Sequence, residues 1–298
     1  MMSGNRGRHA AMPWRLAWNA MNQSDSNANS SGNYALGHSA DELDRLRTQA
    51  RLIDPTTRRF FREAGIEPGM RVLDVGCGAG DTSLLLAEMV GERGQVVGVD
   101  RAPTAIAAAR SKVAGRDERL RFLEGDPAEM TFELPFDAVA GRYVLMFQEH
   151  PATTLNKLAS HLRAGGLLVF HELDYEGISS FPASPTFDQI KRWNVETTLL
   201  YGADPHMGSK LLATFLTAGL PTPTVRVEAL SGKGAASADV LLRARNLTRS
   251  LLPEMERRGV ATRAEVGLDT LLERMHAEAF AADSVVVGHL EVGAWCRV

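Results

Sequence analysis

The apolar residues of this chain form short continuous runs that alternate with helical stretches from residue 71 onward. The runs begin at residues 71, 95, 120, 136 and 166. Continuous runs of β-branched residues and leucine are typical of strands that are buried on both faces. Between them lie the helical stretches 82–90, 104–114 and 152–162, each closed by a glycine or a polar turn. The alternation predicts βαβ units and therefore a doubly wound, mostly parallel α/β sheet.

The first part of the chain divides into a polar leader and a helical segment. Residues 22–33 contain almost no apolar side chain, so ordering them would cost conformational entropy without burying surface. We therefore predict a flexible leader over residues 1–33. A helix is predicted from about Ser39, and a second helix from Pro55 to Gly65.

The pattern changes again after residue 174. Helical spacing returns near 185–200 and 208–218, a strand is predicted near 224–230, and residues 237–282 are almost wholly helical in pattern. The terminal stretch alternates, as a closing strand or a bent hairpin would. These boundaries predict a core over 34–174, cap insertions over 175–207 and 231–283, and further core segments over 208–230 and 284–298.

Composition and charge exclude several classes of protein. The chain has 298 residues, of which 44% are hydrophobic and 23% charged, as in ordinary globular proteins. Its 33 Lys and Arg against 36 Asp and Glu give a net charge of −3, so we predict no nucleic-acid partner. Two cysteines fit a reducing, cytoplasmic compartment. No uncharged apolar window approaches a membrane span, so we predict no membrane association.

Residues 72–81 carry the most informative motif of the chain. A buried strand leads into Gly76, Gly78 and Gly80, at every second position, just before a helix. Glycine lets the backbone approach a ligand closely, and the N-terminus of the next helix offers unpaired N–H groups. A dinucleotide site would place its third glycine at the position of Asp81, whose charge disfavours a pyrophosphate. The motif therefore favours a nucleoside ligand with a cationic group.

Two further acids follow the next two strands. Asp100 ends the second strand, where a carboxylate can accept hydrogen bonds from both ribose hydroxyls. Asp126 follows Gly125 at the end of the third strand, beside the expected position of an adenine. Both lie at the carboxyl ends of strands, where open α/β sheets bind their ligands.

In order, these motifs resemble those of the class I S-adenosylmethionine-dependent methyltransferases. The matching segments, over residues 40–175, are Asp74-x-Gly-x-Gly-x-Gly, Asp100, Gly125-Asp126, Phe136-Asp-Ala-Val and Leu162-Arg-Ala-Gly-Gly-Leu-Leu-Val. The segment Tyr34-Ala-Leu-Gly, with Glu42, Leu46, Gln49 and Pro55, is similar to a bacterial subgroup related to quinone-biosynthesis and small-molecule methyltransferases. The resemblance implies a Rossmann-like, doubly wound, mostly parallel seven-stranded sheet with helical cap insertions. It also implies S-adenosylmethionine (SAM) as cofactor, S-adenosylhomocysteine as product and a small-molecule acceptor.

The resemblance implies roles for individual residues. Asp74 and Gly76 would attend the methionine end of the cofactor, Asp100 the ribose and Asp126 the adenine. Arg142, after the fourth strand, would lie near the sulfonium. The full implied cofactor set is Asp74, Gly76, Cys77, Gly78, Gly80, Asp100, Arg101, Asp126, Pro127, Ala128, Arg142, Tyr34 and Gln49.

Five members of this set have open alternatives, and the first is Asp74, which also fits as a cap of backbone groups. Pro127 lacks the N–H that the family uses toward adenine, so either Ala128 supplies it or the loop is shifted. Cys77 also fits as a small turn residue, and Tyr34 and Gln49 as anchors of the first helix.

The expected chemistry is in-line displacement of the methyl group onto an O, N or C atom of the acceptor. A phenol or a protonated amine would also need a general base. The candidates are Glu172 first, His171 second and His150 as a further residue, and a role in stabilising the fold is the competing interpretation of each. Strand alternation places His171 and Glu172 on opposite sides. No metal site is predicted.

Two other functions stay open at the level of sequence. An NAD(P)-dependent oxidoreductase is disfavoured by Asp81 and by the 70 residues before the first strand. A protein that binds SAM without transferring a methyl group is the other alternative. The identity of the acceptor and the oligomeric state are open, with a homodimer among the options.

Overall fold

A computed structural model describes residues 40–113 and 118–298, with side chains from residue 52. Residues Asp44–Val298 form one compact unit. The strands are β1 Arg71–Val75, β2 Gln95–Asp100, β3 Leu120–Glu124, β4 Phe136–Arg142, β5 Leu162–Asp174, β6 Ser179–Phe181, β7 Thr224–Lys233 and β8 Val285–Arg297. The helices are α1 Ala40–Ala64, α2 Asp81–Val90, α3 Pro103–Val113, α4 Pro151–Ala159, α5 Pro185–Tyr201, α6 Met207–Thr217, α7 Ala238–Arg258, α8 Arg263–Val266 and α9 Leu268–Ala281. Short 3₁₀ turns occupy Leu145–Phe147 and Gly234–Ser237.

The sheet has the order β3-β2-β1-β4-β5-β8-β6, and β7 also pairs with β8. Strands β1 to β5 are parallel, whereas β8 runs antiparallel to β5, β6 and β7. The expected doubly wound α/β fold is confirmed. The sheet has eight strands rather than seven, because the short strand β6 pairs with the first residues of β8.

Helices cover both faces of the sheet. On one face, Phe61 of α1, Leu86 of α2 and Ile106 of α3 pack in one buried cluster. On the other face, Leu155 of α4 and Phe215 of α6 pack in a second cluster. The parallel strands are therefore buried on both sides, as their continuous apolar runs require.

The segment before β1 is one helix, not two. Helix α1 continues through Pro55, where we expected a new helix to begin. Proline removes one backbone hydrogen bond from a helix interior. Burial of Ile53, Phe60 and Phe61 against the rest of the molecule offsets that loss.

A third apolar cluster lies in the predicted cap. Helices α5, α7 and α9 contribute Phe187, Leu241 and Leu271, which pack with Leu173 near the carboxyl end of β5 and Val286 of β8. The predicted boundaries differ in detail, since β6 lies within residues 175–207 and β7 extends to Lys233. The terminal segment is a single strand rather than a bent hairpin. None of the described helices combines the length and apolar character needed to cross a bilayer.

Candidate functional site

The turn between β1 and α2 is built on three glycines with left-handed backbone. Gly76, Gly78 and Gly80 have φ angles of 63°, 53° and 86°, which glycine adopts far more readily than other residues. A Cβ at Gly76 would lie 2.9 Å from Cγ2 of Val144, whereas a Cβ at Gly78 would meet none of the described atoms within 4 Å. The backbone at Gly78 therefore faces open space at the carboxyl edge of the sheet, where a ligand can approach it.

Asp100, the last residue of β2, is half-buried and fixed to this turn. Its Oδ2 accepts a hydrogen bond from the backbone N–H of Gly78 at 2.9 Å, and its Oδ1 accepts one from Ala102 at 2.8 Å. Each oxygen of a carboxylate can accept a further hydrogen bond. Asp100 thus keeps acceptor capacity for two hydroxyl groups, which fits the ribose contact that we predict for it.

Asp74, at the end of β1, is 1% exposed. Its Oδ2 accepts a hydrogen bond from the Ser83 hydroxyl at 2.5 Å, while its Oδ1 is buried without a hydrogen-bond partner among the described residues. Burial raises the pKa of Asp74 to about 7, although Ser83 and the charge of Arg142 oppose the shift. A buried acceptor that lacks its partner costs about 1–3 kcal/mol. A ligand that donates a hydrogen bond or carries a positive charge would remove that cost.

The loop after β3 is held by its own side chains. Asp126 forms an ion pair with Arg101 at 2.5 Å, and its Oδ1 accepts a hydrogen bond from the backbone N–H of Ala128 at 3.0 Å. Pro127 lies between them, and its carbonyl oxygen is 2.7 Å from Nε2 of His161. The N–H of Ala128, one of the two options for the missing adenine donor, is therefore engaged within the loop.

Arg142, the last residue of β4, contacts helix α1. Its Nη1 donates to Oδ1 of Asp54 at 2.7 Å and to the hydroxyl of Thr57 at 3.3 Å. Its charge also favours the ionised form of Asp74. The charge of Arg142 therefore acts on Asp74, and its expected place near the sulfonium stays a prediction.

Three remaining members of the predicted cofactor set are less informative. Burial and the charges of Asp74 and Asp100 raise the pKa of the Cys77 thiol, which makes it a poor nucleophile. Tyr34 lies outside the described residues. Gln49 lies on α1, and its side chain lies outside the described part of the chain. Cofactor contacts of these three residues stay predictions.

Glu172, our first candidate for a general base, holds the turn after β4. It is fully buried. Its Oε1 accepts hydrogen bonds from the backbone N–H groups of Val144 and Leu145 at 2.8 and 2.7 Å, and its Oε2 accepts one from Met146 at 3.3 Å. Burial raises the pKa of Glu172 to about 7 against these three donors. These contacts are those expected of a residue that stabilises the fold. A catalytic role of Glu172 stays a prediction.

His171, the second candidate, is also fully buried. Its Nε2 is 2.6 Å from Oε2 of Glu291, and its Nδ1 is 3.1 Å from the hydroxyl of Thr57. Burial lowers the pKa of His171, and Glu291 opposes that shift. Because a carboxylate only accepts hydrogen bonds, Nε2 carries a proton. The Thr57 hydroxyl beside Nδ1 also donates to the carbonyl of Ile53 at 3.2 Å.

His150, the third candidate, lies at the N-terminus of α4, with 75% of its side chain exposed. Glu149 is the neighbour of its ring, at 4.0 Å. The three candidates therefore do not share one environment: Glu172 and His171 are buried, whereas His150 is on the surface.

Sequence reasoning missed a group of side chains around Glu291 of β8. The hydroxyl of Tyr143 donates to Oε2 of Glu291 at 2.8 Å, and Arg243 of the cap helix α7 forms an ion pair with Oε1. Arg243 also donates to the Tyr143 hydroxyl at 3.3 Å. With His171, these residues form a buried network, called here the Glu291 network, which joins the cap to the core.

The charges of the Glu291 network stabilise one another. Burial opposes ionisation of Glu291, but Arg243, His171 and Tyr143 lower its pKa well below the usual range. Burial also opposes the charge of Arg243, and Glu291 raises the pKa of Arg243 above its ordinary value. A buried ion pair needs further hydrogen bonds to its charges, and here Tyr143 and His171 bond to Oε2 of Glu291 while Arg243 pairs with Oε1.

Tyr143 is the partly exposed member of the network. It has a φ of 57°, unusual for a residue other than glycine, and its backbone N–H donates to the carbonyl of His171 at 2.8 Å. Strained backbone of this kind often marks functional sites. The sequence signal was Glu291 itself, an acid in a strand of mostly apolar residues, and Tyr143 directly follows the predicted Arg142.

The sheet and the glycine turn define a Rossmann-like nucleoside-binding domain, and comparison with known proteins gives its family. A family model described as a methyltransferase domain matches residues 66–214, half of the chain. The chain belongs to this family, and within it to the class I SAM-dependent methyltransferases.

The chain is similar to demethylmenaquinone methyltransferases of Staphylococcus aureus. The one from strain MRSA252 is 31% identical over 134 residues, which cover 45% of this chain and 53% of that protein. The match thus spans about half the length of these relatives.

Solved structures share the fold at low sequence identity. Geranyl diphosphate methyltransferase in complex with geranyl diphosphate and sinefungin has a TM-score of 0.51 at 18% identity, covering 90% of this chain and 87% of that chain. The same enzyme in complex with SAM has a TM-score of 0.51 at 18% identity, covering 89% and 94%.

Proposed function

We propose that this protein transfers a methyl group from SAM to a small-molecule acceptor and releases S-adenosylhomocysteine. The observation that carries the proposal is the buried oxygen of Asp74, which has no hydrogen-bond partner among the described residues, together with Asp100, which is bonded to the glycine turn. An ammonium group satisfies the first, and a pair of ribose hydroxyls satisfies the second. Family membership supports the same ligand.

The residues of the carboxyl edge fit the parts of SAM in sequence order. Asp74 and the open backbone at Gly78 would hold the methionine end, Asp100 the ribose and the Asp126 loop the adenine. SAM supplies a methyl group on a sulfonium, so the leaving group is a neutral thioether. The protein's own task is to orient the acceptor for in-line attack and to exclude water.

The acceptor would bind between this edge and the cap. Leu173, Phe187 and Leu241 give the cap an apolar interior, and Tyr143 presents a polar group at its margin. A small acceptor is in keeping with the names of the relatives, a demethylmenaquinone and a geranyl diphosphate methyltransferase. The net charge of −3 argues against a nucleic-acid acceptor. We place the protein in the cytoplasm, because both cysteines are buried free thiols.

Calorimetry of the full chain with SAM, S-adenosylhomocysteine and NADH tests the cofactor. We expect the first two to bind and NADH not to bind; the reverse would make the protein an oxidoreductase. Transfer of labelled methyl groups to a small-molecule extract then tests the reaction. The Asp100→Asn variant is the control, since label that persists in it does not come from this site. Cofactor binding without transfer to any extract fraction would contradict the proposal.

A further inference from the structure

Strand β7 forms an outer edge of the sheet. Among the described residues it pairs with β8 alone, and most of its side chains are exposed. A long edge strand presents unpaired N–H and C=O groups to any other strand. Charges of one sign usually discourage such pairing, but the charged residues Arg226 and Glu228 are of opposite sign, and each also forms an ion pair with α1, with Glu63 and Arg59 respectively. The edge is therefore poorly protected.

An exposed apolar patch adjoins this edge on one face. Val225 and Val227 lie opposite Ala294 and Val292 of β8, two residues of the cluster that packs under α6. Directly opposite residues of antiparallel strands point to the same face. Val225 and Val227 therefore point to the α6 face, with exposures of 40% and 55%.

Two leucines of α6 extend the patch. Gly208, Leu212 and Leu216 form one row of the helix, four residues apart. Gly208 lies against Val292, so the row faces β8 and the β7 edge beyond it. Leu212 and Leu216 are exposed by 44% and 49%. The exposed residues Leu212, Leu216, Val225 and Val227 are called here the edge patch, and exposed apolar residues near an open strand edge favour an interaction site.

We propose that two copies of this chain associate through β7, paired antiparallel about a two-fold axis at Val227. A two-fold axis at that residue places Val227 opposite its own copy and Arg226 opposite Glu228 of the second copy. It also keeps both edge patches on the same face of the joined sheet. The strand is thus complementary to itself in charge and in polarity, which a symmetric dimer requires.

Charge selects this register over its neighbours. An axis at Arg226 would place two arginines directly opposite each other, and an axis at Glu228 would place two glutamates opposite each other. Like charges at directly opposed positions destabilise a sheet. An axis at Val225 would leave the acids and bases unpaired across the interface. The register at Val227 is the one in which opposite charges meet.

The oligomeric state of the full chain tests the proposal. We expect light scattering after gel filtration to give twice the monomer mass of 32.4 kDa. Val227→Lys places two like charges on the axis and should raise the dissociation constant at least about tenfold. Leu134→Lys, at an exposed leucine in the loop before β4, is the matched control and should leave the dimer intact. A monomeric parent protein, or equal dissociation constants for both variants, overturns the proposal.

Disulfide trapping tests the register itself. Opposed residues of antiparallel strands lie within the Cα distance that a disulfide spans. Val227→Cys should therefore form a covalent dimer under mild oxidation, whereas Val225→Cys, which lies opposite Ala229, should not. The parent protein controls for Cys77 and Cys296, which are buried. Efficient trapping of Val225→Cys, or none with Val227→Cys, overturns the proposed axis.

Discussion

Asp74 and Asp100 differ in the hydrogen-bond partners that the described residues supply to their carboxylate oxygens. Asp100 has a backbone donor on each oxygen, so it is stable before any ligand binds. Asp74 is buried, has one oxygen bonded to Ser83 and one without a described partner, and has a pKa raised by burial to about 7. Asp100 is therefore a preformed contact, whereas Asp74 is a residue whose environment a cationic ligand would complete.

Asp74 should make cofactor binding depend on pH. Its pKa in the folded protein, about 7, lies above that of an unfolded chain, so its contribution to stability is complete below the unfolded pKa and is lost as the pH rises through 7. A bound ammonium reverses that preference, so the affinity for S-adenosylhomocysteine should rise as the pH increases through 7. Calorimetry across this range is the measurement. Asp74→Asn should flatten the profile, and Glu133→Gln, an exposed control, should not; a profile unchanged in Asp74→Asn contradicts the assignment. Glu172 is intact in all three proteins, so its own titration cancels.

Asp100→Ala should weaken cofactor binding strongly. Each hydrogen bond to a charged group is worth about 1.5–3 kcal/mol, which corresponds to a loss of at least about tenfold in affinity. Calorimetry with S-adenosylhomocysteine measures the loss, and thermal unfolding checks that the turn at Gly78 is intact. Glu88→Ala, an exposed acid on α2, is the control. Unchanged affinity in a folded Asp100→Ala protein would show that the second-strand assignment is wrong.

At the scale of elements, the turn after β4 is held in place by hydrogen bonds to Glu172. Three consecutive backbone N–H groups converge on Glu172, and the turn holds Tyr143 in a left-handed conformation just before them. Val144 of the same turn contacts the position where a side chain at Gly76 would lie. Glu172 therefore positions both Tyr143, whose hydroxyl bonds to Glu291, and Val144, which lies behind the glycine turn.

Replacement of Glu172 should separate folding from catalysis. Glu172→Ala leaves buried N–H groups unpaired, which should lower the free energy of unfolding by about 2–4 kcal/mol. Glu172→Gln keeps an acceptor, so it should lose less stability and keep its single-turnover rate within about tenfold of the parent. Urea unfolding and rapid-quench methyl transfer are the measurements, with Glu176→Ala as an exposed control. A stable Glu172→Gln protein that is more than about tenfold slower would instead identify Glu172 as the general base.

Local sequence patterns predicted most elements but not every boundary. The apolar runs of the parallel strands and the glycines of the first turn act through neighbours in sequence, so they could be recognised directly. The break expected at Pro55 did not occur, because packing of Phe60 and Phe61 outweighs one lost backbone bond. Strand β6 escaped notice because three residues, Ser179–Phe181, carry no periodicity of their own.

At the scale of the whole molecule, the Glu291 network joins segments that are far apart in sequence. Tyr143, His171, Arg243 and Glu291 come from four different elements or turns. No local sequence pattern predicts that these residues are in contact. Their contacts follow from the pairing of β8 with β5 and from the packing of α7 on these strands. The sequence therefore predicted the candidate cofactor residues at the carboxyl ends of the strands, but it did not predict the Glu291 network that joins the cap to the core.

The stability of the folded protein should depend on the ion pair between Arg243 of the cap and Glu291 of the core. Arg243→Met leaves Glu291 buried without its main countercharge and should lower the free energy of unfolding by about 3–5 kcal/mol. The double variant Arg243→Met, Glu291→Gln should lose less than the sum of the two single variants, because the replacements remove the charges together. Urea unfolding of the set measures the coupling, and Arg245→Met, on the same helix, is the control. Additive losses would show that Arg243 and Glu291 act independently.

Strand β8 has a consequence for how the chain folds. Strands β6 and β7 find their described sheet partners only in β8, and Phe181 and Val285, which pair across β6 and β8, are separated by about a hundred residues. The βαβ units before residue 174 close short loops. The chain after residue 174 must close a long loop to pair β6 with β8, at a greater entropic cost. The nucleoside-binding half can therefore fold first. The cap and strands β6 and β7 fold later, when β8 pairs with the sheet. We therefore expect Glu291 to enter the interior in that step, and its ion pair with Arg243 to form late in folding.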